Sequence, residues 1–379
     1  MAESTTDKIN NDISIPAVMK AAQQSSFGDI RDVLTLGENI RVPRQLSSKQ
    51  ILVRVCAAAI NPVDWKILNG KLSLVTRYSF PHIPGTDVAG VVVAIGSGVK
   101  RLKIGDKVYG DLEIHGGSYA EYVRGPESLF TVKPNNLTME EAAAIPLACD
   151  TSYQALFKKV SPPIGKGSKV FICGGSTATG LYAVQLAKAV GAYVTTTCSP
   201  RNFSLMEKLG YTITQTNVET SNDQNQLHVI DYTEKDFGEE LKDQNYDVVY
   251  DCVGGAEQWI SAQKILKRGG KFITIVGDDT SSVISLKTLI EMGFSIVNRK
   301  FWSVFGLAHH DYIRHVLSEN FQDLDDIRTK FIETNKVKPL IDTVFDWRKD
   351  GVEALYSLYE KSKSGKAQGK LILKIADEE

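Results

Sequence analysis

The run Gly174-Gly175-Ser176-Thr177-Ala178-Thr179-Gly180 lies between an apolar stretch, Lys169–Cys173, and an alanine-rich one, 180–190. A strand passing through glycines into a helix lets backbone approach a ligand closely. The amide N–H groups at the helix start then stabilise phosphate charge. The spacing is not a regular GxGxxG, because Ala178 stands where a glycine is expected. A dinucleotide site with altered pyrophosphate packing is therefore expected, rather than lost binding. The next apolar strand, 192–197, runs into Cys198-Ser199-Pro200-Arg201-Asn202, and no acid follows until Glu207. A site for the ribose hydroxyls of NAD places Asp or Glu there. Ser199, Arg201 and Asn202 instead suit a 2′-phosphate, Arg201 through its planar fork. The plain alternative for Arg201 is a solvated residue at a helix start. NADPH is the expected cofactor.

A chain of 379 residues is too long for one ordinary core, so two domains are expected to position this loop. In the first third, apolar runs at Gln50–Ala59 and 88–95 alternate with glycine turns, which predicts a β-barrel-like module. Thr138-Met139-Glu140-Glu141 is a capping box opening a helix. Beyond it strands at Lys169–Cys173, 192–197, 229–231, 247–252 and 271–276 are separated by helices or turns. Continuously apolar strands in repeated βα units mean a parallel, doubly wound sheet. From His309 a helix, a short strand at 340–345, a helix and a last strand at 370–375 are expected to return to the first module. The segment 211–227 is polar and glycine-free, which predicts a surface excursion.

Composition excludes several classes of function. Forty-four basic and 45 acidic residues give a net charge of −1, so neither nucleic acid nor an anionic membrane is expected as a partner. No run approaches the roughly 18 apolar residues of a membrane span. The N-terminus, MAESTTDKINNDIS, reads as a disordered lead-in and not as a signal or transit peptide. The five cysteines form no CxxC pair, which suits small buried hydrophobes in a reducing compartment. The cytoplasm is the expected location.

Further motifs carry a family resemblance. Asn61-Pro-Val-Asp64-Trp-Lys66, Pro84-Gly-Thr-Asp-Val-Ala-Gly90, Gly105-Asp-Lys-Val-Tyr-Gly-Asp111, Gly117-Ser-Tyr-Ala-Glu-Tyr122 and Gly365-Lys-Ala-Gln-Gly-Lys370 occur in order around the glycine loop. Together they resemble the zinc-independent quinone oxidoreductase branch of the medium-chain dehydrogenase/reductase superfamily. The Asn-Pro-Val-Asp-aromatic-Lys form is most similar to plant-type enone (alkenal) reductases. The resemblance covers roughly 19 to 375. It implies an α/β chain with a GroES-like β-barrel catalytic domain at 19–139, a Rossmann NADPH-binding domain at 140–308 and a return to the catalytic domain at 309–379, after a disordered 1–18.

Zinc alcohol dehydrogenases of this superfamily carry Cys, His followed by Glu, and Cys as catalytic ligands. Here Asn61, Thr86 with Asp87, and Leu147 hold those places, and Cys149 lies two positions from the last. The four-cysteine structural lobe is absent, and only His82 and His115 fall in loops near the site. A zinc site needs several converging N/S ligands, so no metal is expected.

Without a Lewis acid, direct reduction of an isolated carbonyl loses its strongest electrophile. A conjugated carbonyl accepts hydride at the β-carbon, leaving an enolate that hydrogen bonds or a cation can stabilise. Asn61 can donate through its amide, with a turn residue ahead of Pro62 as the alternative. Lys66, where the family often has Tyr, could place an ammonium near the carbonyl oxygen or the nicotinamide carboxamide, with a solvated helix face as the alternative. Asp64 and Lys370 are expected either to pair and fix the Asn61 loop or to be unrelated surface charges. The resemblance implies Thr151 against the nicotinamide and Tyr232 near the adenosine phosphate. It also implies Cys252, Val253 and Gly254 along the ribose, with Val276 and Gly277 against the nicotinamide. The α-carbon proton is expected from solvent.

The function implied is NADPH-dependent reduction of the C=C bond of enones, enals or quinones. One-electron quinone reduction and a low-turnover NADPH-binding interaction protein stay open. Pocket size is expected to depend on 72–80 and 301–307. The segment 293–302 resembles the family's dimerisation edge strand, which implies a homodimer.

Overall fold

A computed structural model of the chain describes residues 15–74, 78–215, 225–277, 310–318 and 320–378. The expected edge strand at 293–302 and the loop 301–307 lie outside the described residues, as does 216–224 of the polar segment.

The barrel module is built around Gln50–Ala59, whose apolar residues are almost all buried. It pairs antiparallel with Asp87–Ile95 and with Tyr122–Pro126. Gly90 sits opposite Val55, and a Cβ there would stand 2.1 Å from the Arg54 carbonyl oxygen. The glycine is what lets these two strands close. The last strand, Lys370–Lys374, pairs antiparallel with residues 57–59 and parallel with Ile341–Asp346. The expected return of the chain is thus realised in the middle of a sheet. Val53, Val88, Phe130, Trp347, Leu358 and Leu373 share the core beneath it.

Among the described residues, the second module is a seven-stranded parallel sheet. Its order is Thr212–Thr214, Gln226–Ile230, Tyr193–Thr197, Lys169–Cys173, Tyr246–Asp251, Leu266–Thr274, Asp311–Arg314. The chain enters at Lys169–Cys173, winds outward, and returns to add Tyr246–Asp251 on the other side. The crevice at this switch point is where such sheets bind ligands. The barrel-plus-Rossmann architecture expected from the motifs is the one observed.

Two expectations change. Thr212–Thr214, inside the supposed excursion, adds an edge strand, because Ile213 finds the apolar cluster of the sheet. Asp311–Arg314 is the opposite edge among the described residues, with Arg314 in register with Thr274. The dinucleotide sheet therefore runs past 308, and the return to the barrel follows Arg314. Four residues with a charge at each end carry no readable period. Tyr312 seats them by stacking on Phe272, with ring centroids 5.3 Å apart.

A shared apolar cluster joins the modules. Cys56, Ala89 and Tyr109 from the barrel meet Tyr182 and Leu186 from the dinucleotide side, with Cys149, Tyr153 and Phe331 between them. All five cysteines are buried and free, as their surroundings suggested. Among the described residues, no helix is long and apolar enough to cross a membrane.

Candidate active site

Asn61 immediately precedes the helix Pro62–Leu68, and its backbone N–H donates to Asp64 Oδ2 at 2.7 Å. The carboxyl three residues into a helix commonly reaches back to the cap in this way. The Asn61 side chain lies at the centre of a buried polar cluster. Its Nδ2 donates to Asp87 Oδ2 at 2.8 Å and to Thr86 Oγ1 at 3.2 Å. Its Oδ1 accepts from Lys370 Nζ at 2.6 Å. Lys370 Nζ also lies 3.1 Å from Asp87 Oδ2, and the Leu147 N–H donates to Asp87 Oδ1 at 2.9 Å. Asn61, Thr86, Asp87 and Leu147, at the places of the superfamily's zinc ligands, are thus bonded to one another. Lys370 and Asp87 are 3% and 0% exposed, so their charges are held out of water by these bonds.

The expected pairing of Asp64 with Lys370 is replaced. Lys370 takes Asp87, while Asp64 is committed to the Asn61 N–H. Burial pushes the Asp64 carboxyl up to about 7, against the Asn61 hydrogen bond that favours its charge, and nearby Asp87 raises it further. The expectation for Asn61 changes as well, since both its amide hydrogens are engaged inside the cluster. It holds the loop and has none left for a substrate carbonyl.

Lys66 is half-buried, its ammonium 5.6 Å from the centroid of the Trp65 ring and without an ion pair among the described residues. Burial lowers its pKa, and Lys71 and Arg314 lower it further. An ammonium in that position keeps three hydrogens to give.

In the glycine loop, Gly174 has φ +78° and its N–H donates to Thr197 Oγ1 at 2.8 Å. A Cβ on Gly175 would stand 2.2 Å from Thr196 Oγ1, and one on Gly180 2.2 Å from the Gly174 carbonyl oxygen. Thr177 caps the helix Ala178–Ala189 by accepting the Gly180 N–H at 3.0 Å, and its hydroxyl lies 3.3 Å from that of Thr179. Ala178 opens the helix and packs on the cluster between the modules. Its methyl fills space that the other positions lack.

A cleft of about 720 Å³ runs over this loop. Gly174, Ser176, Thr177, Ala178, Arg201, Asn202, Tyr232 and Val253 line one wall, and Ile60, Pro62, Gly369 and Lys370 the other. Ser199 Oγ is buried without a partner, and Tyr232 is 55% exposed. Burial holds the Cys252 thiol at about 12, well away from a reactive thiolate. Thr151 Oγ1 donates to the Leu147 carbonyl at 2.6 Å, so its hydroxyl is already committed. Val276 and Gly277 stand beside Gly254. A Cβ on Gly254 would lie 2.5 Å from Val276 Cγ1, and the Gly255 N–H donates to the Gly277 carbonyl at 3.0 Å.

Two organising residues had no role in the sequence expectations. Asp87 stood only at a vacated ligand place. Asp251 ties two strand ends together by accepting the Val253 and Gly254 N–H groups, each at 2.9 Å, and the Thr274 hydroxyl at 2.7 Å. An acid closing the apolar strand DVVYD was the signal available for it.

A model described as "Alcohol dehydrogenase GroES-like domain" matches residues 47–135, and one described as "Zinc-binding dehydrogenase" matches 226–373. The chain is 35% identical over 381 aligned positions to a 2-methylene-furan-3-one reductase of Solanum lycopersicum, covering 98% of this chain and 83% of that one. It is 34% identical to an NADPH-dependent alkenal/one oxidoreductase of Arabidopsis thaliana, covering 89% and 76%. The structure of a quinone oxidoreductase from Coxiella burnetii superposes with a TM-score of 0.73 at 28% identity, covering 94% and 99%.

Proposed function

The chain belongs to the medium-chain dehydrogenase/reductase superfamily, in its quinone oxidoreductase branch, and on that footing we propose that it reduces the C=C bond of α,β-unsaturated ketones and aldehydes, or quinones. The observation that carries this is the buried set Asn61–Asp87–Lys370, whose Lys370 lines the same cleft as the glycine loop. The loop fits a dinucleotide, because its glycines stand where a Cβ would collide and its helix start faces the cleft. NADPH, when bound, supplies the hydride.

Ser199, Arg201 and Asn202 receive its 2′-phosphate, and Ser176 and Thr177 its pyrophosphate. The donor set does not suit zinc: Asp87 is already balanced by an ammonium and saturated by Asn61 and Leu147, and among the described residues no thiolate or imidazole joins it. Negative charge on the substrate oxygen is met instead by the Lys66 ammonium, which rests over the Trp65 ring and has no carboxylate partner among the described residues. Asn61, locked by Asp64 and Lys370, fixes the start of the helix that carries Lys66. The working unit in this proposal is a homodimer in the cytoplasm, and equilibrium sedimentation tests its size.

Anaerobic turnover with an enal, an enone and a quinone, NADPH against NADH, tests the proposal. A saturated carbonyl product is expected. A semiquinone radical without saturated product would point to one-electron chemistry, and tight NADPH binding with no turnover to a binding role.

A further inference from the structure

The loop between the helix Val352–Lys363 and the strand Lys370–Lys374 is anchored firmly in the barrel. The Gln368 N–H donates to Asp342 Oδ2 at 2.7 Å, and Asp342 is paired with Lys361 at 2.7 Å. Gly369, at φ +130°, brings the chain so close to the Leu340 carbonyl that a Cβ would lie 2.5 Å from its oxygen. From this root the Gln368 side chain crosses to the other module. Its Nε2 donates to the Arg201 carbonyl and to Asn202 Oδ1, each at 3.2 Å. Asn202 passes the bond on, giving its own Nδ2 to Ser176 Oγ at 3.2 Å.

A chain of amides therefore joins the last loop of the barrel, the loop after the second dinucleotide strand and the glycine loop. Two residues beyond Gln368, Lys370 enters the Asn61–Asp87 cluster. One short loop thus bonds to the loop carrying Arg201 and Asn202 and to the Asn61–Asp87 cluster.

The direction of the bonds matters. A side-chain amide can present either its oxygen or its nitrogen, and a phosphate accepts only donors. By donating to Asn202 Oδ1, Gln368 turns that oxygen away and leaves the NH₂ group on the side of Ser176. By donating to the Arg201 carbonyl, it fixes the backbone from which an exposed guanidinium reaches out. We propose that Gln368 is a positioning residue for NADPH over NADH, setting the amide of Asn202 and the backbone of Arg201 for the 2′-phosphate. This rests on the assignment of Arg201 and Asn202 to that phosphate.

Calorimetric titration of the full chain with NADPH and with NADH tests it without reference to turnover, using the wild type, Gln368→Met, Asn202→Ala and the double variant. Methionine keeps the length of the side chain and removes both bonds. In Gln368→Met the Kd for NADPH is expected to rise about five- to tenfold while that for NADH moves less than about twofold, the scale of one or two hydrogen bonds on one ligand only. The double variant is expected to lose less than the sum of the two single losses, because the part of the effect that passes through Asn202 is shared. Equal weakening of both cofactors, no weakening, or additive losses in the double variant would each overturn the role given to Gln368. A wild type that binds NADPH and NADH alike would overturn the phosphate assignment itself, before any variant is compared, and this proposal with it.

Discussion

Lys370 and Asp87 form an ion pair with almost no exposure, and such a pair is dangerous to break from one side. Replacing Lys370 by Met leaves the Asp87 carboxylate buried with amide partners alone, and about 3–5 kcal/mol of stability is expected to be lost. Urea unfolding measures this, and adding Asp87→Asn should recover part of the loss; no recovery would mean the charges are independent. Asp64 gives a pH signature. Its folded pKa, about 7, lies above the unfolded carboxylate value of about 4, so folding favours its protonated form. Its contribution to stability is fully present below about pH 4, declines as pH rises toward 7, and is constant beyond. Asp64→Asn should therefore gain on the wild type across that window, and unfolding curves at pH steps from 4 to 8 would read it. A difference that stays flat with pH would contradict the buried protonated carboxyl. For Lys66, replacement by Met is expected to lower kcat/KM for an enone by about 10²-fold, the scale of one lost electrostatic stabiliser. The Kd for NADPH should be unchanged, and a parallel loss of cofactor binding would place Lys66 at the nicotinamide instead.

The glycine loop shows what spacing can and cannot decide at the scale of an element. Ala178 breaks the regular pattern, yet its methyl packs on the cluster between the modules, while the collisions fall at Gly175 and Gly180. Ala178→Gly should leave the Kd for NADPH within about twofold, and Gly180→Ala should raise it at least about tenfold, because overpacking against backbone cannot relax cheaply. The reverse order in a fluorescence titration would mean that the regular spacing, and not the close contact, is what matters. The strands and helices of the βα units were legible because their periods are long and apolar. Thr212–Thr214 and Asp311–Arg314 were not, since strands of three or four residues with polar or charged ends form only where tertiary neighbours hold them. The cluster was half legible. Motifs named Asn61, Asp64 and Lys370, but which acid takes which partner depends on how 57–61 is threaded between two strands far apart in the chain. Gln368 stood inside the Gly365–Lys370 motif without a role, since nothing local says what a side chain does across 166 residues.

At the scale of the whole molecule, the two modules share buried side chains, so they are expected to unfold together. Trp347 reports from the barrel core and Trp259 from the dinucleotide sheet. Fluorescence, circular dichroism and calorimetry should trace one coincident thermal transition. Two separated transitions would mean that the cluster joining Cys56, Cys149 and Tyr182 is too weak to couple the modules. The late position of Lys370–Lys374 has a consequence during synthesis. Domains fold as units while the chain emerges from the ribosome, and the dinucleotide sheet emerges complete while the barrel still lacks an inner strand. Asp87 waits without its counter-ion until Lys370 arrives. The same short segment supplies Gly369 and Lys370 to one wall of the cleft, so the strand that closes the barrel also completes the place where cofactor and substrate would meet.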